Sequence, residues 1–427
     1  MGTMSMGIII PRSEAEEISR SKGWILVFGR RKTGKTFLLR KMVPHDYYFF
    51  VTRGGEIFDA SGGEVKTLPY SIFLERLKQF LTEERTIVID EFQRLPDEFL
   101  DFLHYIKPLS KAKLVLVGSS IQVSRKILSK RSPLLGIIKP IRIGLIKPVD
   151  MVLALSREVG PYKTLQLAPL LRDPWILEFV DYRKNIEEIV KQVVQAIRYS
   201  CKGLIGEVFL EEDRELTERY EAVLRAIADG YNTPGLVANY VSNVMRGVFK
   251  SHDVKKYISN LLEMGLVKRK RVYSKKRYLY QLDSPLLDLF YFLDVKFGFY
   301  EIDTPQDLLI SKALNKIPLY YEEFIIELLA QILNAEIQKS LKPEIDGVLV
   351  KTGKPVAVVE VKYGKAYRED IYKFLAKTEN FKCKKILVAK EAEEIKNVEL
   401  LTPLKIIKQL GKSIEIEDEL LVNVEER

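Results

Sequence analysis

A chain of 427 residues, 47% hydrophobic and 30% charged, is long enough for two to four packed domains and excludes disordered, collagenous and membrane-spanning classes. No apolar run approaches the roughly 20 residues of a membrane helix, and the opening "MGTMSMGIIIP" lacks a signal peptide's apolar stretch, so a cytoplasmic protein with no membrane partner is expected. Two cysteines (Cys201, Cys383) and three histidines argue against a disulfide framework or a Cys/His zinc site, while the net charge of +10 and the abundance of Lys, Glu and Ile point to a polyanion partner and a thermophile.

In chain order, the first strong signal is "WILVFGRRKTGKTFLL", a continuous apolar strand, a loop and an apolar helical pattern. The loop fits G-x-x-x-x-G-K-[ST] at Gly29, Gly34, Lys35 and Thr36. Backbone N–H groups in such a loop curl around phosphate, and the helix behind it presents its positive end. Lys35 is expected on the β- and γ-phosphates of ATP or ADP and Thr36 on Mg²⁺, with Lys32, Thr33 and Phe37 completing the nucleotide contacts. "TIVIDEF" follows, an apolar strand ending in Asp90 and Glu91. Asp90 suits the Mg²⁺ shell and Glu91 a general base for the attacking water. The next strand, "KLVLVGSS", ends in Ser119 and Ser120, either of which offers a hydroxyl to the γ-phosphate.

Taken together, "GRRKTGKT", "VIDEFQRLP" and "LVGSS" resemble the archaeal AAA-type P-loop ATPases of the signal-transduction-ATPase branch. "SPLLGIIKPIRIGLIKP" resembles that family's segment between sheet and lid, and "DPWILEFV" its lid motif. The resemblance implies a P-loop NTPase core with a parallel sheet over residues 1–149 and a helical lid over 150–212. One position departs from the pattern: Ile137 follows Gly136 where the family usually has arginine. If that arginine serves the γ-phosphate, Arg131 or Arg142 must replace it, or hydrolysis is slow.

Residues 213–282 read as three short helices and a β-hairpin, similar to a winged helix. Within 245–282, eleven Lys and Arg face only Asp253 and Glu263, a local charge of +9 that carries nearly the whole excess. Double-stranded DNA is the expected partner, through Lys255 and Lys256 on the third helix and Lys268, Arg269, Lys270, Arg271, Lys275, Lys276 and Arg277 on the wing. Protein docking, in a homo-oligomer or with a partner protein, is the alternative use of such a module.

A connecting helical segment over 283–317 leads to a last section, 318–427, reading helix, strand, strand, helix, strand. In "KPEIDGVLVKTGKPVAVVEVKYGK", Asp346 precedes Glu360 and Lys362 with the spacing D-(x13)-E-x-K. Residues two apart on a strand share a face, so Glu360 and Lys362 point the same way. This resembles the PD-(D/E)XK nuclease fold, an α/β restriction-endonuclease-like domain. The resemblance implies Mg²⁺ or Mn²⁺ on Asp346 and Glu360, Glu322 from the preceding helix as a third ligand with Glu327 as its alternative, and Lys362 on the attacking water. The whole then reads as a multidomain α/β, ATP-hydrolysing, DNA-binding enzyme with a nuclease module. The alternative is a nucleotide-switched regulator or scaffold whose terminal domain does not cleave.

Overall fold

The computed structural model describes residues 7–119, 127–130, 132–211 and 217–411. Two seven-stranded sheets organise the chain. The first is built from β1 (Trp24–Phe28), β2 (Tyr47–Val51), β3 (Ile57–Asp59), β4 (Lys66–Leu68), β5 (Thr86–Asp90), β6 (Lys113–Gly118) and β7 (Ile138–Arg142), in the order β4-β3-β2-β5-β6-β1-β7. Strands β2, β5, β6, β1 and β7 are parallel, and β3 and β4 form an antiparallel edge. Continuous apolar strands fit because both faces are covered. Trp24, Leu26, Ile87, Ile89, Leu114 and Leu116 pack on one side, and Ile25, Val27, Val88, Val115 and Val117 on the other. Each fully buried Val, Leu or Ile side chain contributes about 1.5–3 kcal/mol. Because β6 lies between β1 and β5, the ends of these three strands open side by side. Gly29, Asp90, Glu91 and Ser119 therefore come together.

Helices Pro148–Leu155, Pro161–Leu171 and Ile186–Glu211 follow over the stretch expected to form the helical lid. Next come helices Glu218–Ala228, Pro234–Val244 and Ser251–Glu263 and a hairpin of β8 (Val267–Val272) and β9 (Tyr278–Leu282). Helices Pro285–Phe297, Gln306–Leu314 and Ile317–Leu333 lead into β10 (Glu336–Leu341), β11 (Glu344–Lys351) and β12 (Lys354–Val361). Helix Arg368–Lys377, β13 (Lys384–Val388) and β14 (Glu399–Leu401) complete the second sheet, ordered β14-β13-β12-β11-β10-β8-β9.

That order changes the expected domain picture. The hairpin does not project as a free wing: β8 runs parallel to β10, with Arg271 opposite Gln338 and Val272 opposite Lys339. Boundaries at 282 and 317 thus cut through one sheet. A single apolar cluster also runs from Ile10 through the lid and the three-helix unit to Leu410. Among the described residues, no helix is long and apolar enough to cross a membrane.

Candidate functional site

The loop between β1 and helix Lys35–Met42 is shaped by two glycines. A Cβ on Gly29 would lie 1.9 Å from the Ile143 carbonyl oxygen, so only glycine fits that crossing. Gly34 caps the helix with φ 84°, the left-handed region that favours glycine. Lys35 is only 6% exposed, and its Nζ donates to the carbonyls of Gly29 (2.8 Å) and Arg30 (2.9 Å). Thr33 is buried and donates to Arg30 O at 2.8 Å, which makes its hydroxyl an internal brace of the loop.

Two arginines that sequence reasoning passed over hold this loop from outside. Arg12 donates to Thr33 O at 2.7 Å and to Gly144 O at 3.1 Å. Arg30 donates to both oxygens of Asp173 at 3.0 Å, a pair 5% and 2% exposed. Asp173 opens the "DPWILEFV" lid motif, which could have flagged it.

Asp90 is fully buried at the end of β5. Its Oδ2 accepts from the Thr36 hydroxyl (2.7 Å) and the Tyr48 hydroxyl (2.6 Å), and its Oδ1 from Glu91 N–H (3.0 Å). Burial, then the charge of Asp90, pushes the Tyr48 hydroxyl far above its ordinary value, so it stays a donor. Tyr48 carries no local signal; only the parallel pairing of β2 with β5 brings it here. Glu91 takes φ 59°, a left-handed conformation uncommon for a side-chain-bearing residue. Its Oε2 meets Gln93 Nε2 (2.7 Å), Ser119 Oγ (3.1 Å) and Arg94 NH2 (3.0 Å).

Beside these groups lies a cavity of about 440 Å³ whose wall includes Lys32, Lys35, Thr36, Glu91, Arg94 and Ser119. Among the described residues, its arginines are Arg31, Arg53 and Arg94. Arg142 is exposed on β7 and lines no part of it, whereas Arg131 and Ser120 lie outside the described residues. Arg94 was legible as the residue three after Glu91 in "DEFQR". Lys32, Gly34 and Phe37 also border a second cavity of about 1080 Å³, walled by Ile8, Ile10, Trp175, Leu177 and Leu204. A cationic end and a largely apolar slot suit a phosphate tail and a nucleobase.

The second candidate site lies at the ends of β11 and β12. Asp346 Oδ2 accepts from Val361 N–H at 2.8 Å, which fixes it beside Glu360. Glu360 is 6% exposed; its Oε1 meets Lys362 Nζ at 3.3 Å and Lys377 Nζ at 3.9 Å, while its buried Oε2 has no hydrogen-bond partner among the described residues. Burial, then the charge of Asp346, raises the carboxyl of Glu360 above its ordinary value, and the same two causes raise Glu322. Glu322 is also held by Lys339 at 3.2 Å. Among the described residues, no three His, Cys, Asp or Glu form a group that could hold a metal, so the expected Glu322–Asp346–Glu360 ligand trio is not assembled. Asp346 with Glu360, and its orphaned oxygen, is the pair that fits a cation.

The basic segment divides in two. Lys255, Lys256, Arg269, Arg271, Lys275, Lys276 and Arg277 are exposed, with Arg269 over the Tyr278 ring at 4.6 Å. Lys268 and Lys270 point inward, correcting their expected place on a DNA-facing wing. Lys268 pairs with Glu327 at 2.6 Å, and Lys270 pairs with Glu323, which also accepts from Gln281 at 2.7 Å. Arg172 joins Glu327 from the lid. Burial alone would raise the Glu327 carboxyl, but Lys268 and Arg172 outweigh it and hold it well below the usual range. This removes Glu327 as an alternative metal ligand.

The strand–loop–helix with its Thr36–Asp90 contact defines the N-terminal unit as an α/β P-loop NTPase-like fold. Residues 21–137 match the family model described as AAA domain. No curated protein matches the chain. A solved Walker-type ATPase of Pyrococcus abyssi is 20% identical, with 66% of this chain and 96% of that one covered and a TM-score of 0.47. The ORC2 protein of Aeropyrum pernix, solved as ADPNP–ADP complexes, is 16% identical over 74% of this chain and 96% of that one, TM-score 0.41. The ORC1 protein of Aeropyrum pernix, solved in complex with DNA, is 16% identical over 67% and 91%, TM-score 0.29.

Proposed function

We propose that this chain is a Mg²⁺-dependent ATPase of the AAA type that acts on or along duplex DNA. The carrying observation is the convergence of Lys35, Thr36, Glu91 and Ser119 on one cavity, with Asp90 buried directly behind Thr36 and accepting its hydroxyl. Lys35 binds the β- and γ-phosphates, where the phosphate competes with the Gly29 and Arg30 carbonyls for its ammonium. Thr36 and Asp90 would hold Mg²⁺, which when bound neutralises charge on the phosphate oxygens. Glu91 orients the attacking water and takes its proton on a carboxylate oxygen. The water oxygen bonds to the γ-phosphorus, the bond to the β–γ bridging oxygen breaks, and ADP and phosphate leave. Arg94 and Ser119 set the Glu91 carboxylate for that task. Phosphate release from ATP, measured with and without Mg²⁺, tests the reading.

The exposed cations on helix Ser251–Glu263 and the hairpin support a winged-helix contact with DNA. With Lys268 and Lys270 engaged inside, the contacts fall to Arg269, Arg271, Lys275, Lys276 and Arg277 of the hairpin, with Lys255 and Lys256. Replacing Lys275, Lys276 and Arg277 by Ala should weaken binding to all duplex sequences alike and flatten log K against log salt by about 0.9 per lost phosphate contact. An unchanged slope and affinity takes the hairpin off DNA. Asp346, Glu360 and Lys362 support a Mg²⁺- or Mn²⁺-dependent nuclease-like site in the C-terminal sheet. A second reading, a nucleotide-switched regulator whose last domain does not cleave, is favoured by the pairing of Glu322 with Lys339.

A further inference from the structure

We propose that the lid helix Pro161–Leu171 is a lever through which nucleotide in the phosphate loop changes the C-terminal carboxylate site. The proposal rests on the nucleotide-binding reading above and adds its route of regulation. Two adjacent residues at the end of that helix face opposite ways. Asp173 grips Arg30 through both oxygens, and the Arg30 carbonyl is one that Lys35 and Thr33 share. Arg172 grips Glu327 of helix Ile317–Leu333, and its Nε donates to Ile146 O at 2.7 Å. Phosphate drawing Lys35 away from the Arg30 carbonyl changes the bonding at the residue that Asp173 holds. Arg172 is covalently next to Asp173, so a shift of one moves the other, with Pro174 directly following.

The other end of the same helix reaches the second site. Tyr162 donates its hydroxyl to the Tyr363 carbonyl, and Gln166 Nε2 donates to the Tyr363 hydroxyl at 2.6 Å. Tyr363 follows Lys362, the residue whose ammonium lies 3.3 Å from Glu360. One rigid element thus touches the C-terminal fold at both its ends while its last residues hold the phosphate loop. Packed side chains together with hydrogen-bond and charge networks of defined partners carry coupling between distant sites. Glu327 is further tied to Lys268 of β8, so a shift at Arg172 also reaches the hairpin.

Hydrogen–deuterium exchange of the full chain, with Mg²⁺ alone and with Mg²⁺ plus a non-hydrolysable ATP analogue, tests the lever. Nucleotide should protect 29–37 and also alter exchange over 323–331 and 360–366 by about fivefold or more, the lower end of allosteric couplings. Arg172→Gln should keep the protection at 29–37 and lose the response over 323–331. Tyr363→Phe, which removes only the hydroxyl that accepts from Gln166, should diminish the response over 360–366. Protection confined to 29–37 in the wild type, or a response over 323–331 undiminished in Arg172→Gln, overturns the lever while leaving the nucleotide reading intact. A wild-type chain showing no protection at 29–37 overturns both.

Discussion

Glu91→Gln should bind ATP as tightly as the wild-type chain and hydrolyse it about 10²–10⁴ times more slowly, the contribution of a positioned general base. The substitution keeps the size of the side chain and an oxygen for Ser119, so the cavity wall is preserved. It removes the proton acceptor and the charge facing Arg94, 3.0 Å away. Thr36 and Asp90 do not depend on residue 91 for their mutual hydrogen bond, so Mg²⁺-dependent affinity should survive. Single-turnover phosphate release alongside nucleotide titration separates the two effects. Turnover within tenfold of wild type would mean that another group activates the water.

A comparable loss is expected at the second site. In a calorimetric titration of Mn²⁺ without nucleotide, Asp346→Asn or Glu360→Gln should weaken binding by at least the roughly 10–100-fold that even the outer partners of a metal site are worth. Lys362→Ala should bind Mn²⁺ as well or better, because it removes a positive charge 3.3 Å from Glu360. The full chain is required, since β10 pairs with β8 and a fragment beginning at 318 would lose that neighbour. Negligible, equal binding by wild type and variants would leave Glu360 and Lys362 as a structural ion pair. The nucleotide-switched regulator would then be the better reading.

The candidate nucleotide site was legible because its residues are consecutive at strand ends, where local pattern and geometry coincide: Gly29 to Thr36 after β1, Asp90 at the end of β5 with Glu91 next, Ser119 after β6. Tyr48 and Arg12 were not legible, because register across parallel strands and chain crossings bring them in. The run "KRKR" at 268–271 shows a signal present but read too simply. Strand alternation sends every second residue inward, and Lys268 and Lys270 stand about 6.6 Å apart along β8. Glu323 and Glu327, four residues apart on a helix, stand about 6 Å apart and match them. Charge density alone made all four cations look like DNA contacts. Period two, with the acidic i, i+4 pair on helix Ile317–Leu333 that faces β8, accounts for the buried half.

The most direct test of the central assignment is a titration of Mg²⁺-ATP analogue into the wild-type chain and Lys35→Ala. The ammonium is held by two loop carbonyls at 2.8 and 2.9 Å and is placed to meet phosphate, and each charge-assisted contact is worth about 1.5–3 kcal/mol. The account predicts saturable one-to-one binding by the wild type and an affinity about a hundredfold or more weaker for the variant. Equal affinities, or no binding by the wild-type chain, would contradict it.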